Sequence, residues 1–267
     1  MKKRTAMMLA ATATMFTVMF SALPAMAKVQ SREVTYKEGG TVLKGYVAWD
    51  DAVEGDRPGV LVVHQWMGLT DYEKMRANML AELGYVAFCA DIYGEGIRPS
   101  NMKEAGAQAT IYRSDLPLMR KRVQAGLDQM LTMEQVDSNR VAAIGYCFGG
   151  GVVLELARSG ADVAGVVSFH GSLNTSLPAD AETLKAKALV LHGAVDPYVP
   201  AKDVEAFMAE MNAANADWQM VHYSGAVHSF TQKHAGSDPS AGAAYNEAAD
   251  HRSWAHMRVF FAELFAK

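Results

Sequence analysis

Apolar and polar positions along the chain follow two rhythms, and the change of rhythm marks the elements. Residues 33–50, EVTYKEGGTVLKGYVAWD, hold two alternating runs on either side of Gly39-Gly40. A glycine pair supplies the positive φ of a tight turn, so this stretch predicts a β-hairpin. Gly59-Val60-Leu61-Val62-Val63-His64 is a short apolar run, too brief for a helix. It predicts a strand buried on both faces. From 71 to 83 the spacing of Met75, Met79, Leu80 and Leu83 predicts a helix with those four on its inner face, ended by Gly84. Tyr85 to Ala90 reads as the next strand. Further helices are expected near 101–113, 115–133, 148–158, 201–214 and 242–265. Strands are expected at 140–146, 163–170, 188–192 and 218–223.

Strands of this kind, alternating with helices, imply an α/β fold: a mostly parallel, doubly wound sheet with helices on both faces. No internal repeat or Pro/Ser-rich linker interrupts the alternation, so residues 28–267 are expected to form a single domain. Ligands bind such sheets at the carboxyl ends of the strands. That rule selects residues 64–70, 91–98, 145–150, 170–173, 192–198 and 224–230.

Composition narrows the class. The 267 residues are 50% hydrophobic, which excludes disorder, and two cysteines in so long a chain exclude a disulfide framework. At the N-terminus Lys2-Lys3-Arg4 precedes an apolar run, Ala6 to Leu23, and Ala25-Met26-Ala27 has the A-x-A form of a cleavage site. Residues 1–27 are therefore expected to be a signal peptide, with cleavage after Ala27 and a periplasmic or secreted product. An uncleaved membrane anchor or a buried helix is the alternative. No later run approaches ~18 apolar residues, so no membrane partner is expected once the signal is removed. Without Lys2, Lys3 and Arg4 the chain keeps 22 basic against 29 acidic residues, which argues against nucleic acid as a partner.

Gly145-Tyr146-Cys147-Phe148-Gly149-Gly150 follows an expected strand and opens an expected helix. This is the G-x-S-x-G nucleophile elbow with sulfur in place of oxygen. A nucleophile on so sharp a turn sits in strained backbone, and its neighbours two away must lack side chains. The helix N-terminus at Phe148 favours thiolate. The alternative is a buried structural cysteine beside packing glycines. His228, in Ser224-Gly225-Ala226-Val227-His228-Ser229-Phe230, is the candidate base. His64, His170 and His192 also end strands; His170 and His192 are read as polar residues satisfied at the sheet rim. Asp196 follows the strand ending at His192 and, taken alone, reads rather as a turn aspartate. Chain order favours a catalytic role. Cys147, Asp196 and His228 fall in the nucleophile–acid–histidine order of α/β-hydrolases. The oxyanion donors expected are the backbone N–H groups of Phe148 and of Trp66 in His64-Gln65-Trp66-Met67-Gly68. No H-E-x-x-H, no i, i+4 histidine pair and no G-x-G-x-x-G after a strand is present, so neither a metal nor a cofactor is expected.

With these motifs in hand, the sequence resembles the dienelactone hydrolase family of the α/β-hydrolase superfamily. The resemblance runs from about residue 32 to the C-terminus. It rests on HQWMG at 64–68, ADIYGEG at 90–96, GYCFGG at 145–150, LHGAVDPYVP at 191–200 and GAVHSF at 225–230. It implies metal-free hydrolysis of an ester or lactone, with Cys147 as nucleophile, His228 as base and Asp196 as its partner. Two departures bear on substrate. Family members carry a glutamate at the position of Gln65, which helps switch the thiol to thiolate. They also carry an arginine shortly after the histidine, where this chain has Ser229, Phe230, Thr231 and Gln232. Dienelactone itself is therefore not the expected substrate. Gln65, Tyr93, Tyr198 and Phe230 are the expected pocket residues; Trp66, Tyr93, Phe148, Tyr198 and Phe230 suggest a more aromatic, less anion-selective pocket for a small ester or lactone. A ligand-binding or sensing protein on a hydrolase scaffold is the competing reading. No obligate protein partner is inferred.

Overall fold

The short apolar runs do become strands, and they stack side by side. A computed structural model describes residues 28–266. The expected signal peptide at 1–27 lies outside these residues. Eight strands form one sheet: β1 (Val29–Glu38), β2 (Thr41–Asp50), β3 (Arg57–Val63), β4 (Val86–Ala90), β5 (Val136–Tyr146), β6 (Gly165–Phe169), β7 (Lys187–Gly193) and β8 (Trp218–Tyr223). Their order across the sheet is β1-β2-β4-β3-β5-β6-β7-β8. β1, β2 and β4 pair antiparallel, and from β4 through β3 to β8 every pairing is parallel. β5 begins earlier than its spacing suggests. Val136 and Asp137 pair with Arg57 and Pro58 before the register shifts between Pro58 and Gly59.

Among the described residues six α-helices cover the sheet: α1 (Asp71–Glu82), α2 (Met102–Ser114), α3 (Leu116–Leu131), α4 (Phe148–Arg158), α5 (Ala201–Ala213) and α6 (Glu247–Leu264). Alternate side chains of each central strand enter opposite cores. Leu61 and Val63 of β3 meet Val123 and Leu127 of α3 and Val152 and Leu156 of α4. Val60 and Val62 share the other core with Ala77 and Leu80 of α1 and Phe260 and Phe261 of α6. Burying each large aliphatic side chain contributes about 1.5–3 kcal/mol. Among the described residues no helix is long and apolar enough to cross a membrane.

The inner face expected for α1 requires correction. Met75 is 43% and Leu83 37% exposed. The buried residues are Glu73, Arg76, Ala77, Leu80 and Ala81. Two polar contacts set this rotation. Glu73 closes a capping box on Thr70, and Arg76 pairs with Asp250 of α6 at 2.6 Å. Ala77 and Ala81, being small, then let the helix lie close to the sheet.

The chain winds away from β3 in both directions, through α1 to β4 and later to β5 on the other side. The carboxyl ends of β3 and β5 thus flank the point where strand order reverses, which is where such sheets bind ligands.

Candidate active site

At the end of β5 the chain turns sharply into α4, with Cys147 at the corner at φ 53° and ψ −114°. Backbone of this kind costs a non-glycine residue about 1–3 kcal/mol, and such strain clusters at functional sites. The surrounding glycines make it feasible. A Cβ on Gly145 would overlap the Gly149 carbonyl, and one on Gly149 would overlap the Val63 carbonyl. One on Gly150 would come within 2.6 Å of Ser168 Oγ. The elbow is packed against β3 and β6 at backbone distance.

Cys147 Sγ lies 3.1 Å from His228 Nε2, and His228 Nδ1 lies 2.8 Å from Asp196 Oδ2. The three side chains form one hydrogen-bonded line across the ends of β5, β7 and β8. Asp196 fills two roles at once. Its Oδ1 accepts the Tyr198 N–H at 2.9 Å, an Asx turn, while Oδ2 faces the imidazole. His228 is held by backbone: its N–H donates to Gly242 O at 3.2 Å, and its carbonyl accepts from Ala244 N at 3.0 Å. The 229–243 loop therefore closes back on the histidine.

The charge state follows from these contacts. Burial disfavours the Cys147 thiolate, but the His228 charge and hydrogen bond, Arg113 and the Phe148 N–H outweigh it and bring the thiol below its ordinary value. Burial likewise disfavours the His228 imidazolium. The Cys147 charge and the Asp196 hydrogen bond overcome that and raise it well above an ordinary histidine. Both shifts favour a thiolate–imidazolium pair over the neutral pair.

The loop after β3 sits beside this pair. Its shape is fixed from both sides. His64 Nε2 accepts the Ile92 N–H at 3.1 Å, so Nδ1 carries the proton and donates to Gln65 O at 2.6 Å. Burial keeps His64 neutral, with its pKa lowered to about 4. Glu73 accepts from Gln65 N at 3.3 Å and from Thr70 N at 2.8 Å. Tyr93 Oη donates to Trp66 O at 3.0 Å. Gly68, at φ 85°, completes the turn where a Cβ would meet Arg98 Cδ and the Ile97 carbonyl. No backbone carbonyl among the described residues accepts from the Trp66 N–H, and the Phe148 N–H lies against the Cys147 sulfur, whose thiolate it favours. The Gln65 side chain makes no hydrogen bond to Cys147, whose sulfur is paired with His228.

The expected pocket residues take different positions. Tyr198 is 60% exposed and sets its ring edge-on to His228, with centroids 5.4 Å apart, so it forms an outer wall. Tyr93 is buried among His64, Tyr112 and Phe148 and acts as a strut behind the loop. Phe230 is fully buried against His170 and Tyr223, behind the histidine line. His170, read from sequence as a polar residue satisfied at the sheet rim, does follow β6 with both ring nitrogens hydrogen-bonded, and it also lies beside Cys147. Its Nδ1 accepts the Cys147 N–H at 3.2 Å. The signal was available in topology: Tyr146 and Phe169 are register partners, so the residues after them are neighbours. Among the described residues no group of three or more His, Cys, Asp or Glu is placed to hold a metal ion.

Comparison with known proteins identifies the family and the fold. The family model described as the dienelactone hydrolase family matches residues 43–265. A putative carboxymethylenebutenolidase of Salmonella typhimurium is 28% identical over 239 residues, 85% of either chain. The crystal structure of a dienelactone hydrolase-like promiscuous phosphotriesterase from metagenomic libraries is 40% identical. It superposes with a TM-score of 0.84 over 89% of this chain and 99% of that one. A putative dienelactone hydrolase from Klebsiella pneumoniae, 24% identical, shares the fold with a TM-score of 0.75 over 88% of this chain and 99% of its own. The sheet is thus that of an α/β hydrolase, and the chain belongs to the dienelactone hydrolase family of hydrolases.

Proposed function

We propose that the protein is an exported thiol hydrolase of small carboxylic esters or lactones. The observation that carries this reading is the line Cys147–His228–Asp196, with contacts of 3.1 and 2.8 Å. Cys147 thiolate attacks the carbonyl carbon. The Phe148 and Trp66 N–H groups receive the developing oxyanion, a contribution that in other acyl-transfer sites is worth about 2.7–4 kcal/mol per donor. His228 gives its proton to the leaving oxygen and Asp196 fixes the proton on Nδ1 throughout. His228 then takes a proton from water, whose hydroxide releases the acid from the thioester.

Direct pairing with His228 supplies the thiolate, so activation does not require a carboxylate at position 65. The aromatic surroundings suit small esters and lactones, and the nearby cation is Arg113, 5.8 Å from the Phe148 ring centroid rather than on the segment after His228. The tripartite pattern of residues 1–27 supports export. Turnover of short aryl esters and five- or six-membered lactones tests the reading, with Cys147→Ala as control. Wild-type turnover that vanishes in the variant is expected; turnover surviving in Cys147→Ala would sink the mechanism. N-terminal sequencing of the chain recovered outside the cytoplasm should begin at Lys28. The 40%-identical relative named as a promiscuous phosphotriesterase favours phosphotriesters as a second substrate class for the same nucleophile. Release of aryl alcohol from an aryl phosphotriester, absent in Cys147→Ala, is the corresponding assay.

A further inference from the structure

Among the non-glycine residues with positive φ are Cys147 at 53°, His170 at 41° and Ser229 at 57°. These three meet at the site, and one hydrogen bond joins the first two. The Cys147 N–H is shared between Phe169 O at 3.0 Å and His170 Nδ1 at 3.2 Å. A backbone N–H can only donate, so Nδ1 must be the acceptor and the ring proton must sit on Nε2. Nε2 lies 2.8 Å from Thr231 Oγ1, which therefore accepts. Thr231 Oγ1 is 2.7 Å from Tyr72 Oη, and Arg76 Nε donates to that oxygen at 3.2 Å. Arg76 in turn binds Thr231 O at 3.1 Å and Asp250 at 2.6 Å. Every member of this chain is anchored by the next, ending at a buried ion pair between α1 and α6. The His170 N–H is itself tied to Leu191 O at 2.8 Å.

We propose that His170, locked by Thr231 as its Nε2–H tautomer, is a positioning residue for the nucleophile. Its Nδ1 holds the Cys147 backbone in the strained turn from which the sulfur meets His228 and the next N–H, that of Phe148, faces the reacting carbonyl. The proposal rests on the thiol-hydrolase reading for its chemistry, but its geometry stands apart from any substrate.

His170 must also stay neutral. Its ring centroid is 5.3 Å from that of His228, and a second cation there would oppose the imidazolium. Burial first, and the His228 charge next, hold His170 well below an ordinary histidine; Arg76 and His192 add to the same effect. The Tyr146 ring, 6.1 Å away, completes the surroundings. Two histidines on one thiol thus take opposite states, one charged toward the sulfur and one neutral toward its backbone.

The test is alkylation of Cys147 by iodoacetamide as a function of pH, read by mass spectrometry of the Cys147 peptide in the full chain. Cys89 is fully buried and is quantified separately on its own peptide. His170→Leu removes the acceptor. His170→Asn keeps an oxygen near the Nδ1 position and tolerates positive φ. Expected is an upward move of the alkylation midpoint in His170→Leu, by about one pH unit, hence about tenfold slower labelling at pH values below the wild-type midpoint. His170→Asn should lie within about threefold of wild type. A folded His170→Leu protein with a wild-type curve would overturn the proposal, as would an Asn variant as defective as Leu. If His170→Leu does not fold, Thr231→Val decides. Loss of its oxygen frees the tautomer, so a raised midpoint supports the proposal and an unchanged one refutes it. A wild-type protein that forms no acyl-enzyme would sink the hydrolase reading alone, because alkylation needs no turnover.

Discussion

Asp196→Asn isolates the carboxylate's effect on the imidazole with little disturbance of the turn. Asparagine keeps an oxygen for the Tyr198 N–H, so the Asx turn at 2.9 Å survives. The other terminus then presents NH2 to His228 Nδ1, 2.8 Å away, where the imidazolium also carries a proton. Two donors face each other, and the charged form loses its partner. The Asp196 side chain is fully buried, so water does not compensate. A hydrogen bond to a charged group contributes about 1.5–3 kcal/mol. The Coulomb attraction at about 4 Å and an effective dielectric of 20 is about 4 kcal/mol, an upper bound. The lower range converts to a loss of about 10- to 150-fold in the acylation step. Stopped-flow release of nitrophenol from a nitrophenyl ester measures that step as a burst. KM for the ester should change little, and the melting temperature should stay within a few degrees of wild type. Acylation within about twofold of wild type, with an unchanged pH profile, would refute the role assigned to Asp196.

Other outcomes follow from the same geometry. Acylation needs Cys147 ionised and His228 protonated, so its rate should rise through the lowered thiol value and fall again through the raised imidazole value; a simple rise centred on an ordinary histidine would contradict the ion pair. Burial raises the Glu73 carboxyl above its ordinary 4.5. A raised group contributes stability that is full below the unfolded value and is lost as pH climbs through the folded one. The melting temperature of Glu73→Gln relative to wild type should therefore increase from acid to neutral pH, and a decrease would show that the carboxylate is not strained. Met75→Lys should change stability by no more than about 0.5 kcal/mol in urea, because Met75 is largely exposed. Ala77→Leu, at the sheet, should cost about 1–3 kcal/mol by overpacking; the reverse ranking would restore the apolar-periodicity reading of α1.

Where local covalent geometry dictated structure, the sequence was legible. α4 runs over Phe148–Arg158, where the elbow glycines and the following apolar run put it. The β-hairpin pairs across Gly39-Gly40. Asp196 and His228 were recognisable because both follow strands in a fixed chain order. What sequence concealed was long-range. The face of α1 is set by a capping box and by a partner on α6, neither of which appears in the period of its methionines. The contact of His170 with Cys147 was hidden because nothing within its own segment records that β6 lies beside β5. Phe230 suggested a pocket wall from its place after His228, yet the loop folds back through Ala244 and Asn246 and turns that ring inward. Side-chain direction in such loops depends on contacts distant in sequence.

Trapping of the acyl-enzyme bears most directly on the central claim. The protein is mixed with a nitrophenyl acetate, quenched in acid within the burst, digested and mapped by mass spectrometry. One acetyl group on the Cys147 peptide is predicted, lost in Cys147→Ala together with nitrophenol release. Nitrophenol release by wild type with no adduct on Cys147, undiminished in Cys147→Ala, would contradict the account.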